Sequence, residues 1–330
     1  MKITKKDIVC DLRERVLWIG EDEAENVVAT AASDLLCVVS RDTGAVVVRP
    51  YEEGSLINVF LAGKLVTAVE CSTGTILELP NDQRVAVPIP KAEIFDCCYL
   101  PQTRMLYILG LRDWSSCRLS DQPEIKVYSL GELPEIPQYE RIEASREGVI
   151  ICQYGLIIGP NGGDPIVFDP VRYPYCKAAF LSDDTVIAAL ENRAIHFIHT
   201  KRGVIGEIPA PPGSVYFLKK LGDGAVILWD DDNPDWGARK FYGAQIVGRQ
   251  YHPVCFGRVD AEAFAVDHKK GTVFIGTLQG LIRWDVARGV FDMADMPNQE
   301  RIVQLFWSGS MKRLFIGCRD GLVYAPRLEE

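Results

Sequence analysis

The acidic segment DDDNPDWG, residues 230–237, is the stretch best suited to hold a metal ion. Ca²⁺ binds about six to eight oxygen atoms, which carboxylates and amides supply. The residues that could offer such oxygens are Asp230, Asp232, Asn233 and Asp235. The segment is not an EF-hand loop, because the flanking helices and the terminal glutamate are absent and its glycine comes late. A proline among Asx residues also makes a good turn without any ion, so a Ca²⁺ site and a solvated turn both stay open.

Two long turns carry a tryptophan beside an aspartate, and they suggest a surface for a protein partner. They read LRDWSSCRLSDQP (111–123) and WDDDNPDWG (229–237). Loops on a rigid scaffold are where binding usually occurs, and Trp and Arg are frequent energetic anchors of interfaces. The residues predicted to bind a partner are Trp114, Arg118, Asp235 and Trp236. In the alternative interpretation, both tryptophans fold back and pack on their own sheets.

No motif for covalent or acid–base catalysis stands out, and no catalytic residue is predicted. The Gly-x-Ser-x-Gly turn of many serine hydrolases is absent. His196 and His199 lie three residues apart in AIHFIHT, so on a strand they point to opposite faces and cannot both ligate one metal without a bulge. Apart from the Ca²⁺ alternative, no cofactor is expected.

The composition is that of an ordinary globular protein with an acidic surface. The chain has 330 residues, of which 48% are hydrophobic, and its net charge is −9. A surface that binds nucleic acid or anionic lipid needs clustered lysines and arginines, so neither is an expected direct partner. The start, MKITKKDIVC, carries charges where a signal peptide has its apolar core, and no apolar run reaches the ~20 residues of a spanning helix. We therefore expect a soluble cytoplasmic protein.

A repeated motif shows how these residues are positioned. GTVFIGTLQGLIRWD (271–285) is followed 41 residues later along the chain by KRLFIGCRDGLVYAP (312–326), and both contain FIGxxxGL. In each copy an apolar strand runs into a turn with glycine and then into a second strand. Glycine suits this place because the turn requires a positive φ. A repeat of this length is typical of β-propellers.

Weaker copies of the hairpin recur at 35–50, 65–80, 105–130, 156–170, 185–199 and 225–242. Each is flanked by further short strands, which makes about four strands per repeat, the content of a propeller blade. Many strands are apolar on successive residues, as sheets covered on both faces are. The sequence thus predicts an all-β protein, a single β-propeller over residues 1–330, with seven or eight blades and eight favoured. The last repeat lacks a strand, which we expect DIVCDL (7–12) or RVLWIG (15–20) to supply.

The segments FIGTLQGLIRWD and FIGCRDGLVYAP resemble propeller repeats of the two-component-regulator type, in which a strand ending in Trp-Ile-Gly-Thr is followed by Gly-Leu and a closing aromatic-Asp pair. Trp284-Asp285 and Trp229-Asp230 are also similar to the closing dipeptide of WD40 repeats, although the Gly-His element of that family is missing. The resemblance implies a propeller fold and no particular activity.

Three functions are compatible with this sequence. The favoured hypothesis is a non-enzymatic scaffold for protein–protein interaction, a subunit of a larger cytosolic complex. The alternative is a propeller enzyme, hydrolase-like or lactonase-like, or a small-ligand or Ca²⁺-binding protein, with its site at the central channel. A third is a subunit associated with nucleic acid through its protein partner.

Overall fold

The computed structural model describes residues 2–79, 82–100, 103–120, 123–129, 141–145, 147–152, 155–160, 164–168, 172–190, 193–231, 233 and 239–327, with only the backbone at 141, 160 and 298. In these residues, 33 strands form eight antiparallel sheets. Seven of the sheets follow chain order from first strand to fourth, as in a propeller blade, and the eighth takes its fourth strand from the N-terminal part of the chain. The fold is all-β, an eight-bladed β-propeller, which confirms the fold class and the favoured blade number.

The eight blades are numbered along the chain, and each contains at least four strands. Blade 1 comprises β2 Val16–Glu21, β3 Val27–Ala31, β4 Leu35–Val39 and β5 Val46–Pro50, and blade 2 comprises β6 Ser55–Leu61, β7 Lys64–Cys71, β8 Gly74–Glu78 and β9 Arg84–Val87. Blade 3 comprises β10 Ile94–Leu100, β11 Met105–Gly110, β12 Asp113–Arg118 and β13 Glu124–Ser129, and blade 4 comprises β14 Arg141–Ser145, β15 Gly148–Cys152, β16 Leu156–Pro160 and β17 Ile166–Phe168. Blade 5 comprises β18 Tyr175–Ser182, β19 Thr185–Leu190, β20 Ala194–His199 and β21 Gly203–Pro209, and blade 6 comprises β22 Val215–Leu221, β23 Gly224–Asp230, β24 Phe241–Val247, β25 Gln250–Tyr251 and β26 Val254–Gly257. Blade 7 comprises β27 Ala261–Asp267, β28 Thr272–Thr277, β29 Leu281–Asp285 and β30 Val290–Ala294, and blade 8 comprises β31 Ile302–Ser308, β32 Arg313–Cys318, β33 Leu322–Tyr324 and β1 Ile8–Asp11.

The fourth strand of blade 8 comes from the N-terminal part of the chain. Strand β1 pairs antiparallel with β33, with Ile8 opposite Tyr324 and Asp11 opposite Leu322. This confirms the first of the two predicted closing segments; the second, RVLWIG, forms the first strand of blade 1 instead. The pairing satisfies an outer edge of β33 that would otherwise expose unpaired backbone groups.

Blade 6 has five strands because its fourth position is interrupted. Both β25 and β26 pair with β24, and His252-Pro253 separates them. A proline lacks the N–H that a ladder hydrogen bond needs, so the strand breaks there. The helical segments in the described residues are 3₁₀ turns of three residues, at Lys5–Asp7, Lys91–Glu93 and Pro297–Gln299, so none of them could span a bilayer.

The contacts within the chain define two compact units. Unit 1 contains Met1–Thr67, Leu79–Asn81 and Phe256–Glu330, and unit 2 contains Ala68–Glu78 and Asp82–Cys255. Blades 3, 4 and 5 lie within unit 2, and blades 1, 7 and 8 lie within unit 1. That residues 1–330 fold as a single domain stays a prediction.

The prediction of a long loop at 111–123 is wrong. Residues Asp113–Arg118 form strand β12, which pairs with β11 on one side and with β13 on the other. The polar letters SS in DWSSCR hid the strand, because Ser115 and Ser116 are buried on its two faces instead of facing solvent. Trp114 therefore lies within a sheet and not at the tip of a loop.

Candidate partner-binding groove

One face of blade 3 carries aromatic and charged side chains that are set in order by the strand register. Alternate residues of β11, β12 and β13 share this face because side chains alternate across a strand. Three rows cross the sheet: Leu109, Trp114 and Tyr128; Tyr107, Ser116 and Lys126; and Met105, Arg118 and Glu124. Together with blade 4, this face encloses a groove of about 600 Å³, a volume typical of ligand sites. We call it the blade 3–4 groove.

Trp114 closes the inner end of the groove and is itself buried, with 3% of its surface exposed. Its ring stacks on Tyr128 with centroids 4.2 Å apart and planes inclined by 16°. It also belongs to a core cluster with Leu109, Val149 and Ile151. The interpretation in which the tryptophan packs on its own sheet therefore describes Trp114. The half-buried Tyr128 beside it is the more accessible aromatic side chain of this row.

Arg118 lies at the opposite, open end of the same face and is exposed. Its register partner Glu124 forms an ion pair with Lys126 instead, with 3.8 Å between Nζ and Oε1. The backbone of Arg118 pairs with β11 and β13, but its guanidinium makes no hydrogen bond or ion pair with any residue that the structure describes. Burial raises the pKa of the nearby Tyr107 above its usual value, and the positive charge of Arg118 acts in the opposite direction. The groove thus presents a guanidinium beside a neutral phenol.

Blade 4 forms the other wall with small side chains. Ser145, Gly148, Val149, Gly159, Asp164 and Pro165 line it. A Cβ atom at Gly159 would lie 2.7 Å from Cγ1 of Val149 and 3.4 Å from the Trp114 ring, so this glycine allows the indole to sit against blade 4. Asp164 contributes an exposed carboxylate to the rim.

The same face of blade 7 shows why the groove is open. The strand registers of blades 3 and 7 correspond, because the pair of Leu109 and Trp114 next to the turn matches the pair of Gly276 and Leu281. Two residues before the first member of each pair lie Tyr107 in blade 3 and Phe274 in blade 7, which therefore occupy the same position. In blade 7 this face is covered, because Trp307 of blade 8 stacks on Phe274 with centroids 5.5 Å apart.

Among the described residues of blade 4, no aromatic ring stacks on Tyr107 as Trp307 stacks on Phe274. Counted back from the hairpin turn, Trp307 and Leu314 form the second pair of β31 and β32, and the second pair of β14 and β15 is Ala144 and Val149. Both pairs face the preceding blade, since each contributes to the core cluster on that side. Ala144 is the small side chain of its pair, and the neighbouring residues Ser145, Gly148 and Val149 line the groove.

Charges on the two faces are also arranged differently. In blade 7, Arg283 and Asp292 occupy the positions of Ser116 and Lys126, and they neutralise each other with 2.9 Å between Nε and Oδ1. In blade 3 the guanidinium lies one row further out, at Arg118. The blade 3 face is therefore open in shape and has a cation available to a ligand.

The two described members of the predicted Ca²⁺ set are engaged by an arginine. Asp230 is buried, and its Oδ2 accepts hydrogen bonds from Nη1 of Arg239 and from the hydroxyl of Tyr216, both at 3.0 Å. Nε of Arg239 donates to the carbonyl oxygen of Asn233 at 3.0 Å. A calcium ion bound by Asp230 and Asn233 would have to displace this guanidinium.

Asp232, Asp235 and Trp236 lie outside the described residues. The Ca²⁺ site and the partner-binding role of Asp235 and Trp236 therefore stay predictions.

A second set of potential metal ligands lies in blade 8, where ligand atoms of Glu300, Cys318 and Asp320 are all within 4.8 Å of one another. The hydroxyl of Tyr324 donates a hydrogen bond to Glu300. Burial and the two carboxylates raise the pKa of the Cys318 thiol, so the thiol keeps its proton. This arrangement is that of a hydrogen-bonded carboxylate beside a buried thiol.

The first strands of blades in unit 2 are the described region most relevant to the channel alternative. Glu143 of β14 and Lys219 of β22 form an ion pair there. Asp96 of β10 accepts a hydrogen bond from the backbone N–H of Ile142 at 3.0 Å. Each carboxylate thus has a partner within the protein, and a channel site for an enzyme or a ligand stays a prediction.

The histidines of AIHFIHT contact different partners. Nδ1 of His196 is 2.7 Å from the hydroxyl of Tyr175, and burial lowers the pKa of His196 below its usual value. His199 lies beside Asp184, with 3.5 Å between Nε2 and Oδ2. His196 is therefore a neutral, hydrogen-bonded part of blade 5.

Sequence reasoning placed Trp114 and Arg118 together, and the structure also brings them to one groove. It missed Tyr107, Lys126, Tyr128 and Ala144. The alternation of Glu124, Lys126 and Tyr128 in EIKVYS could have indicated one face of a strand. Nothing in the sequence alone could show which residues of blade 4 lie opposite.

Known structures support the fold and leave the function open. The chain is similar to the crystal structure of the WD40 β-propeller domain of Doa1, with a TM-score of 0.56 and 11% identity over 97% of each chain. It is also similar to hydrazine synthase of Kuenenia stuttgartiensis, with a TM-score of 0.59 and 12% identity over 99% of each chain. No family model matches the sequence, and no curated protein matches it. At such low identity the likeness extends to the propeller fold alone.

Proposed function

We propose that this protein is a docking module, which binds a segment of another protein in the blade 3–4 groove. The observation that carries the proposal is that Tyr107 lines an open groove at a position whose counterpart in blade 7, Phe274, is covered by Trp307. One row further out, the exposed guanidinium of Arg118 has no described partner, whereas the arginine of the matching blade 7 face, Arg283, is neutralised by Asp292. Tyrosine, tryptophan and arginine are the residues most often found at energetic anchors of protein interfaces. A rigid sheet holds them in place, so little ordering is needed on binding.

The module is proposed to act as a non-enzymatic subunit of a cytosolic complex. The ten cysteines are free thiols in the structure, as is usual for proteins in a reducing compartment. This supports the cytosolic assignment. The partner is proposed to be a protein, because the groove is long, mixed in polarity and built from one face of a sheet.

The test is recovery of partners by the tagged full-length chain, followed by mass spectrometry. Two variants obstruct the groove from opposite walls: Ala144→Trp, which copies the tryptophan of blade 8, and Lys126→Trp at an exposed strand position. Arg112→Ala is the matched control, since Arg112 is exposed in the turn that precedes β12 and does not line the groove.

The expected result is that proteins recovered with the unmodified chain and with Arg112→Ala are lost with both obstructing variants, while the melting temperatures stay within a few degrees. Recovery of the same partners by all four chains would contradict the proposed site. If Ala144→Trp lowers the melting temperature, the exposed Lys126→Trp variant alone decides the question.

A further inference from the structure

We infer that the segment bound in the blade 3–4 groove is extended and brings a carboxylate side chain to Arg118. This inference rests on the proposed function, because it names the chemistry of the same site. It commits to an acidic peptide as the occupant and identifies the residue that reads the acid.

Charge complementarity is the first argument. Arg118 is exposed at the rim and unpaired among the described residues, while the neighbouring Glu124 is held by Lys126. A guanidinium offers a planar pair of N–H donors that matches both oxygens of a carboxylate. Met105 and Tyr107 line the groove on the same face as Arg118, so a carboxylate bound there would contact apolar and aromatic groups beside the guanidinium.

The position of Asp164 is the second argument. Its exposed carboxylate lies on the blade 4 wall and repels an acidic ligand from that side. The attractive cation is on blade 3 and the repulsive carboxylate is on blade 4, so the groove sets the side on which the acid binds. An attractive group on one wall and a repulsive group on the other increase the difference in affinity between a correctly placed acidic ligand and its competitors.

The spacing of the rows is the third argument. Arg118 and Ser116 are two residues apart on β12, which is about 6.8 Å along a strand. An extended segment running along β12 places its own alternate side chains at the same interval. A carboxylate over Arg118 therefore puts the side chain two positions away over Tyr107 and Ser116, where an apolar or aromatic residue fits.

The experiment selects the ligand instead of assuming it. A displayed library of random nine-residue peptides is panned against the full-length protein, and peptides that also bind Ala144→Trp or Lys126→Trp are discarded. The remaining peptides depend on the groove. We expect them to be enriched in aspartate or glutamate, with an apolar or aromatic residue two positions away.

A second panning uses Arg118→Glu, with Arg112→Glu as the matched control. Reversal of the charge at Arg118 should replace the acidic preference by lysine or arginine, and reversal at Arg112 should leave it unchanged. For a selected peptide, Glu→Gln should weaken binding about tenfold or more on the unmodified chain and less than about twofold on Arg118→Ala.

The outcomes separate the two levels of the proposal. If no peptide depends on the groove, docking at this site is wrong, and the inference fails with it. If peptides depend on the groove but show no acidic preference, or keep the same preference with Arg118→Glu, the carboxylate inference is wrong while the docking site stands. Acidic peptides that respond to Arg118 and not to Arg112 support both.

Discussion

Blades 7 and 3 present the same face in the same register, yet one is closed and the other is open. In blade 7, Phe274 is buried beneath Trp307, and Arg283 is neutralised by Asp292. In blade 3, Tyr107 is only half buried, and Arg118 has no described partner. The repeat therefore conserves backbone geometry while the side chain on the following blade decides whether a face becomes core or binding surface.

The packing beneath the two faces is similar in kind. Leu281 is fully buried in blade 7, and Trp114 at the matching position of blade 3 is 3% exposed. The inner rows thus belong to the core in both blades, and the difference begins one row further out. A groove whose floor is core can be both rigid and accessible.

The largest expected effect separates core from surface within the groove. Trp114→Ala should lower the free energy of unfolding by about 3–5 kcal/mol, because a buried aromatic ring is replaced by a cavity. Urea unfolding followed by circular dichroism measures the change. Trp307→Ala is the comparison in blade 8, and it should cost less because Trp307 is only partly buried. A loss below about 1 kcal/mol for Trp114→Ala would show that this residue is not core.

Two glycines test how tightly the side chains around them are packed, Gly159 within blade 4 and Gly276 between blades 7 and 8. A Cβ atom at Gly276 would lie 2.5 Å from Cγ2 of Ile302, and one at Gly159 would lie 2.7 Å from Cγ1 of Val149. Gly276→Ala and Gly159→Ala should each cost about 1–3 kcal/mol of stability through overpacking. Gly159→Ala should be the milder, because the groove beside Trp114 gives its neighbours room to move. Gly309→Ala, with no atom within 4 Å, is the control. Equal stability of all three variants would refute the close contacts.

The second strands of blades 4 and 8 both end in a buried cysteine, and they should differ in alkaline solution. Burial raises the pKa of Cys152 from 9.0 to about 11. The folded state therefore holds the thiol proton that the unfolded chain releases, so this stabilisation is complete below pH 9 and is lost as the pH rises to 11. Between these values, the unmodified chain should lose about 1–3 kcal/mol more stability than Cys152→Ala.

The control for that experiment is Cys318→Ala. Two carboxylates add to burial in raising the pKa of Cys318, so its contribution should persist to higher pH than that of Cys152. Parallel pH profiles of the unmodified chain and Cys152→Ala would show that the buried thiol does not resist ionisation.

The smallest expected effect concerns two buried serines. The hydroxyl of Ser115 in blade 3 is buried with no hydrogen-bond partner among the described residues, whereas that of Ser308 in blade 8 donates to Glu21 at 2.6 Å. Ser115→Ala should leave stability unchanged or raise it by up to about 1 kcal/mol, and Ser308→Ala should lower it by about 1–3 kcal/mol. Thermal unfolding of both variants measures this. A larger loss for Ser115→Ala would reveal a partner for its hydroxyl.

The sequence predicts the blades well because the strands of a blade, apart from the closing strand of blade 8, follow one another along the chain. The FIGxxxGL hairpins, the 41-residue interval and the missing strand of the last repeat led to seven or eight blades, with eight favoured, and to closure by 7–12 or 15–20; the structure has eight blades and closure by the first segment. Strand DWSSCR was mistaken for a loop because its two serines are buried, which no hydrophobic pattern signals. A strand of this kind is recognised by its pairing and not by its composition.

The groove could be predicted only in part because it depends on contacts between blades. Trp114 and Arg118 were identified from residue type, but the burial of Trp114 follows from Tyr128 in another strand and from Gly159 in another blade. The blade 4 wall consists of Ser145, Gly148, Val149 and residues of other strands, and the small Ala144 beside them is noticed only by comparison with Trp307 in the strand register. A single sequence contains these residues and does not show which ones face each other.

The most direct test of the central claim is hydrogen–deuterium exchange with and without a groove-selected peptide. We expect slower exchange in β12 and β13 of blade 3 on binding, and no change in β29 and β30 of blade 7, which serve as the internal reference. Protection of blade 7, or of blades 3 and 7 alike, would contradict the claim that the open face of blade 3 is the docking site.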